Sequence, residues 1–150
     1  MHPEIRDAQA SDAESIARLI AVLGYPMEAS EVVIQLKVYG DESSRVFVAL
    51  WDNHIVGFLS FHAIPLFHES TKLGRITAMA IDPLFQRKGI GRSLVKAAED
   101  FAEVAGCSRM EVTSGDRRKQ DAHPFYLSQE YRLDCRRFLK ILIGGESGGR

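Results

Sequence analysis

Two glycines, two basic side chains and a glutamine stand together in Gln86-Arg87-Lys88-Gly89-Ile90-Gly91, a composition suited to holding an anion. The flanking residues decide how. Before the cluster, Ile76-Thr77-Ala78-Met79-Ala80-Ile81 reads as an apolar strand closed by Asp82-Pro83; after it, Arg92 to Ala102 is a good helix former. The first turn of a helix has N–H groups without intrahelical acceptors, and the helix dipole puts partial positive charge at the same end. A strand that empties through a glycine-rich turn into such a helix forms a cradle for phosphate. Gly89 and Gly91 let the backbone approach the ligand closely, since neither carries a Cβ.

Two common phosphate motifs fail here. The mononucleotide P-loop requires Gly-x-x-x-x-Gly-Lys-Ser/Thr, but Arg92-Ser93 follows Gly91. The dinucleotide fingerprint requires Gly or Ala three residues past Gly91, where Leu94 stands. What remains is Gln-x-x-Gly-x-Gly within MAIDPLFQRKGIGRSLV, with Pro83 just past the strand and Phe85 before the loop. This stretch resembles the acetyl-CoA pyrophosphate loop of the GNAT N-acetyltransferase superfamily. The competing reading is a glycine-bearing strand–helix corner that only turns the chain.

The elements that must position this loop follow from periodicity. Glu4 to Ala8 suits a short strand. Ser11-Asp12-Ala13-Glu14 reads as a capping box opening a helix with Ile16, Leu19, Ile20 and Leu23 on one face, stopped by Gly24-Tyr25-Pro26. A second helix is expected from Ser30 to Tyr39. Arg45 to Trp51 and His54 to Phe61 flank Asp52-Asn53 as a β-hairpin. After the strand ending at Ile81, the spacing predicts a helix from about Gly89 to Val104, a strand from Arg109 to Ser114, a short helix from Asp121 to Ser128 and a closing strand from Tyr131 to Ile143.

A second motif supports the resemblance. Ala122-His123-Pro124-Phe125-Tyr126-Leu127-Ser128-Gln129-Glu130-Tyr131 is similar to the Ala-x-x-Phe-Tyr-x-x-x-Gly-Phe/Tyr segment of GNAT enzymes, with Glu130 in place of the usual glycine. The resemblance covers the chain from Ile5 to the last strand. It implies an α/β (α+β) GNAT fold: a mixed, mostly antiparallel sheet of about six to seven strands flanked by about four helices. Residues 1–143 would form a single domain and 144–150 a loose glycine-rich tail. The resemblance further implies an acetyl-CoA co-substrate, its pantetheine arm paired with backbone groups of Met79, Ala80 and Ile81. The amides of Arg87, Lys88, Gly89, Ile90, Gly91 and Arg92 would hold its pyrophosphate, and a backbone N–H near Ile81 would face the reacting oxygen. The implied reaction is direct acetyl transfer from the thioester to a primary amine of a small molecule or a protein. Tyr126 stands where the family keeps its general acid. A thiol titrates near about 8.5 and a phenol near about 10, so a tyrosine stays protonated at neutral pH and can reprotonate a departing thiolate. The alternative is a domain that binds acyl-CoA without turnover.

The acceptor side is open to several readings. Glu111, Ser114, His62, His68 and Glu69 are candidates for the general base or for orienting a water, and Tyr25 for lining the acceptor pocket. A hydrophobic fraction of 45%, a charged fraction of 26% and a net charge of −1 fit a soluble globular domain and argue against nucleic acid as the main partner. No stretch reaches membrane-spanning length and the N-terminus lacks a signal-peptide core, so a cytoplasmic protein is expected. Cys107 and Cys135 lack metal or redox spacing, and no metal is expected. Leu133 to Ile143 is apolar for a closing strand at a sheet edge, which makes a homodimer an expectation.

Overall fold

The computed structural model describes residues 2–113, 122–134 and 137–143. Two compact units divide the chain, one reaching to Val112 and one beginning at Thr113.

The first unit is a sheet of five strands in the order β1-β2-β3-β4-β5. β1 (Glu4–Asp7), β2 (Ser44–Trp51), β3 (His54–Pro65) and β4 (Lys72–Ile81) are antiparallel neighbours. β5 (Cys107–Val112) joins β4 in parallel, after the crossover helix α3 (Ile90–Val104). The expected hairpin forms: Asp52 and Asn53 both take positive φ, 53° and 64°, as a two-residue turn matched to strand twist requires.

Helices α1 (Ala13–Val22) and α2 (Ala29–Val38) cover one face of the sheet. Ala13, Ile16 and Leu19 of α1 and Val32 of α2 pack with Val48, Phe58 and Ala80 from three strands. On the other face, Phe61 meets Phe101 of α3 edge-on at 5.5 Å. Leu94, Val95 and Ala98 complete this buried side of α3.

Two local expectations are corrected. A turn of 3-10 helix (Ala10–Asp12) precedes α1, so the cap is built by Gln9 and Asp12 rather than Ser11 and Glu14. The Asp12 carboxylate accepts from the Gln9 backbone N–H at 2.7 Å. β5 starts two residues earlier than the sequence pattern suggests, because Gly106, at φ 91°, ends the helix and leaves Cys107 extended, while the expected last residue, Ser114, lies outside the described residues.

In the second unit, α4 (Ala122–Ser128) carries Pro124 in its first turn, where a missing N–H costs nothing. The expected closing strand is absent: residues 131–134 and 137–143 form no strand, and the sheet has five strands rather than six to seven among the described residues. Leu133, Phe138, Leu142 and Ile143 have the apolar pattern of a strand but are exposed. A strand exists only where a neighbour takes its hydrogen bonds, and the pattern cannot supply that neighbour.

Candidate functional site

β4 is paired unequally along its two edges. Towards β3 its ladder runs the full length, from Lys72 opposite Pro65 to Ile81 opposite Gly57. Towards β5 it stops at Ile76 opposite Val112. The register towards β3 shifts at the same place: Phe61 pairs with Ile76 and Ser60 with Ala78, so Thr77 is an extra residue with no partner on β3. Such a bulge bends and twists its strand. Among the described residues the β4–β5 ladder thus forks at Thr77 and leaves the edge over Thr77–Ile81, roughly 13 Å at strand rise, without a partner strand.

Antiparallel alternation decides which backbone groups face that edge. The Asp82 N–H donates to Val56 C=O at 2.8 Å, so Asp82 and, two residues back, Ala80 turn their backbone groups to β3. Met79 and Ile81 turn theirs to the open edge. Of the three residues expected along the pantetheine arm, Ala80 also packs its side chain in the core with α1.

At the end of β4 the chain makes a 3-10 turn (Pro83–Phe85), capped by the Asp82 carboxylate accepting from the Leu84 N–H at 3.0 Å. It then runs through the glycine loop into α3. Arg87 and Gly89 both take left-handed conformations, φ 64° and 79°. Alternation of this kind turns successive N–H groups to one side, as in anion-binding nests. The first α3 hydrogen bond is Ser93 N–H to Gly89 C=O at 3.1 Å, and no backbone N–H from Gln86 to Arg92 meets a protein acceptor among the described residues. Ile90 anchors the helix start: its amide belongs to this row while its side chain is buried. Arg87, Lys88 and Arg92 are exposed, and the Lys88 ammonium rests 5.6 Å from the Trp51 ring, which in turn packs against Phe85.

The acceptor-side candidates separate. Glu111 on β5 is ion-paired with Arg75 on β4, one residue below the fork. Glu69 accepts from Arg109 at 2.8 Å, and that bond holds its carboxyl below the ordinary range. His68 is exposed and lies 3.6 Å from Glu69. Tyr25 is exposed beyond α1. His62 on β3 bonds through Nδ1 to Ser44 Oγ at 2.7 Å. Ser114 lies outside the described residues.

Sequence reasoning missed Tyr39, Thr77 and Ser60. The Tyr39 hydroxyl reaches Thr77 Oγ1 at 2.9 Å, and Thr77 Oγ1 lies 2.6 Å from Ser60 Oγ. No motif marks them, because they meet only through strand register and the end of α2.

Tyr126 sits in α4, its ring 5.0 Å from Phe125 and 5.9 Å from Tyr131. The Tyr131 N–H donates to the Tyr126 C=O at 3.1 Å and closes the helix end. Glu130, at the place where the resemblance puts glycine, takes φ 70°. Among the described residues no cluster of three or more His, Cys, Asp or Glu could hold a metal, and no helix is long and apolar enough to cross a membrane.

Comparison with known proteins agrees with this architecture. An aminoalkylphosphonate N-acetyltransferase of Salmonella typhimurium is 29% identical over 144 residues, covering 93% of this chain and 91% of that protein. An aminoglycoside acetyltransferase from an uncultured soil metagenomic sample superposes with a TM-score of 0.77 at 26% identity, over 94% of this chain and 97% of that one. A Bacillus halodurans protein described as a transcriptional regulator shares the fold, with a TM-score of 0.83 at 24% identity over 95% of this chain and 100% of that one. The sequence profile of the GNAT acetyltransferase family matches residues 10–131, and the chain belongs to that family.

Proposed function

We propose that the protein transfers the acetyl group of acetyl-CoA directly to a primary amine of a small molecule. The observation that carries this reading is the run of amides from Gln86 to Arg92 that have no acceptor among the described residues, at the end of the β4 edge that has no described partner strand. The loop would hold the pyrophosphate through the amides of Arg87, Lys88, Gly89, Ile90, Gly91 and Arg92. The pantetheine arm would lie along the open edge and pair with Met79 and Ile81. An arm laid inwards from the loop brings the thioester towards the fork, so the Met79 N–H, deeper than Ile81, would stabilise the oxyanion. Tyr126 would protonate the departing thiolate. On this reading residues 1–143 act as one catalytic domain, with no metal, in the cytoplasm. Exposed Phe138, Leu142 and Ile143 favour association as a homodimer, and sedimentation at micromolar concentration measures it.

The Salmonella typhimurium relative makes aminoalkylphosphonates the first acceptors to test, beside polyamines, amino acids and aminoglycosides. The experiment is release of free CoA thiol from acetyl-CoA with each amine. Amine-dependent release supports the reading. Acetyl-CoA binding with no release on any amine overturns it in favour of a non-catalytic acyl-CoA sensor.

A further inference from the structure

Four polar residues stand side by side across four strands on the sheet face covered by α1 and α2. Ser44 of β2 is paired with His62 of β3, His62 with Arg75 of β4, and Arg75 with Glu111 of β5. Directly paired residues share a face, and the contacts follow the row: Ser44 Oγ with His62 Nδ1, and Arg75 with Glu111. The row lies just below the fork. Tyr39, at the end of α2, bridges it to the fork itself, its ring 6.5 Å from the His62 ring and its hydroxyl 2.9 Å from Thr77 Oγ1.

From this arrangement we propose that His62 takes the proton released by the acceptor amine, with Ser44 as its positioning residue. The proposal rests on the acetyl-transfer reading above. Glu111 and Glu69, the carboxylates that could compete for the role, are each engaged by an arginine. Each of these carboxylates thus has an oxygen already held by a guanidinium. Imidazole is the side chain that accepts and releases a proton near neutrality. When Nδ1–H donates to Ser44 Oγ, the neutral ring keeps its lone pair on Nε2.

The step balances. The amine nitrogen forms a bond to the acetyl carbon, and its N–H proton passes to His62 Nε2. The C–S bond breaks with its electron pair on sulfur, and the thiolate takes a proton from the general acid to leave as CoA thiol. The groups facing His62 are Ser44 from β2, Tyr39 from α2 and Arg75 from β4, with Glu111 from β5 offsetting the arginine. α1 turns apolar Ile16 and Leu19 to this face. The neighbouring net charge is therefore small, and the imidazolium formed in the step meets no unpaired cation in this row.

The test uses the full chain with acetyl-CoA and the best amine found. His62→Gln should lower kcat by about 10²–10⁴-fold with acetyl-CoA affinity unchanged, and should remove the acid limb of the kcat/KM profile. Ser44→Ala should keep that limb but displace it, with a loss of about tenfold, the worth of one positioning hydrogen bond. A merely structural role for either residue would lower the melting temperature and leave the pH profile in place. An active wild type whose His62→Gln variant keeps its kcat and acid limb overturns the proposal alone. If that variant fails to fold, a Ser44→Ala profile identical to wild type overturns it and a displaced limb supports it. A wild type that binds acetyl-CoA and acetylates no amine overturns the acetyl-transfer reading and this proposal together.

Discussion

Gly57 on β3 lies so close to Ile90, the first residue of α3, that a Cβ on the glycine would stand 3.2 Å from Ile90 Cγ2 and 3.0 Å from Ile81 Cδ1. Those isoleucines bracket the glycine loop, one ending β4 and one starting the helix. Gly57→Ala therefore acts on the loop from the opposite strand. It should weaken acetyl-CoA binding about tenfold while costing about 1–2 kcal/mol of stability, the usual range for forcing an extra methyl into a packed site. Calorimetric titration and denaturant unfolding measure the two effects. Affinity equal to wild type would show that the loop tolerates the shift.

Gly89 makes the opposite case. A Cβ there would meet nothing within 4 Å, yet its φ of 79° belongs to the left-handed region. Any loss in Gly89→Val is then conformational, since a β-branched residue resists that region. The substitution should abolish measurable acetyl-CoA binding with the far-UV spectrum retained, and Gly91→Val, in the first turn of α3, should do the same by filling the cradle. Unchanged affinity in both variants would count against backbone recognition of the pyrophosphate.

For Tyr126, phenylalanine keeps the ring contacts with Phe125 and Tyr131 and removes the hydroxyl proton. As general acid, Tyr126→Phe should lower kcat by about 10²–10⁴-fold with acetyl-CoA affinity little changed. A purely structural tyrosine would instead lose about 1 kcal/mol of stability at near-normal kcat. Steady-state kinetics and thermal melting distinguish the two.

Asp12 gives the fold a pH dependence. Arg6 grips its carboxylate through Nη1 at 2.8 Å and Nη2 at 3.1 Å, and the side chains are 29% and 6% exposed for arginine and aspartate. The Arg6 bonds, aided by the Gln9 N–H, hold the Asp12 carboxyl below its usual value. A carboxyl depressed in the folded state binds its proton more readily when unfolded, so its contribution is complete above the ordinary aspartate value and is lost as pH falls below it. The pair should contribute about 2 kcal/mol at neutral pH. Denaturant unfolding followed from neutrality into acid should show wild type losing this increment and Asp12→Asn, already weaker, losing less.

Glu130 occupies a left-handed helix terminus at φ 70°. Relief of that strain predicts that Glu130→Gly raises stability by about 1 kcal/mol. A melting temperature at or below wild type would mean that the glutamate side chain offsets its own backbone cost.

The loop and its flanking elements are legible in the sequence because their signals are local. Asp82-Pro83 stops a strand, Gly89 begins a helix and Asp52-Asn53 turns a hairpin, each through the φ values those residues favour. The Ser44, His62, Arg75 and Glu111 row is illegible for the opposite reason: its members lie up to 67 positions apart and meet only once three registers are set. The bulge at Thr77 carries no glycine or proline to announce it. Gln9 displaced Ser11 as the cap because a 3-10 turn intervenes. The apolar residues from Phe138 to Ile143 suggested a strand, but apolar content does not report a pairing partner.

The fork in β4 also separates two kinds of change. Side chains leave a strand through its faces, while hydrogen-bonding groups leave through its edges. A substitution at Thr77 alters the face beneath Tyr39 and His62 but leaves the outward amides of Met79 and Ile81 where they are. On the proposed acetyl-transfer reading, selectivity for one amine over another would be rewritten residue by residue on that face, while the edge keeps a main-chain pattern that no side-chain replacement short of proline erases.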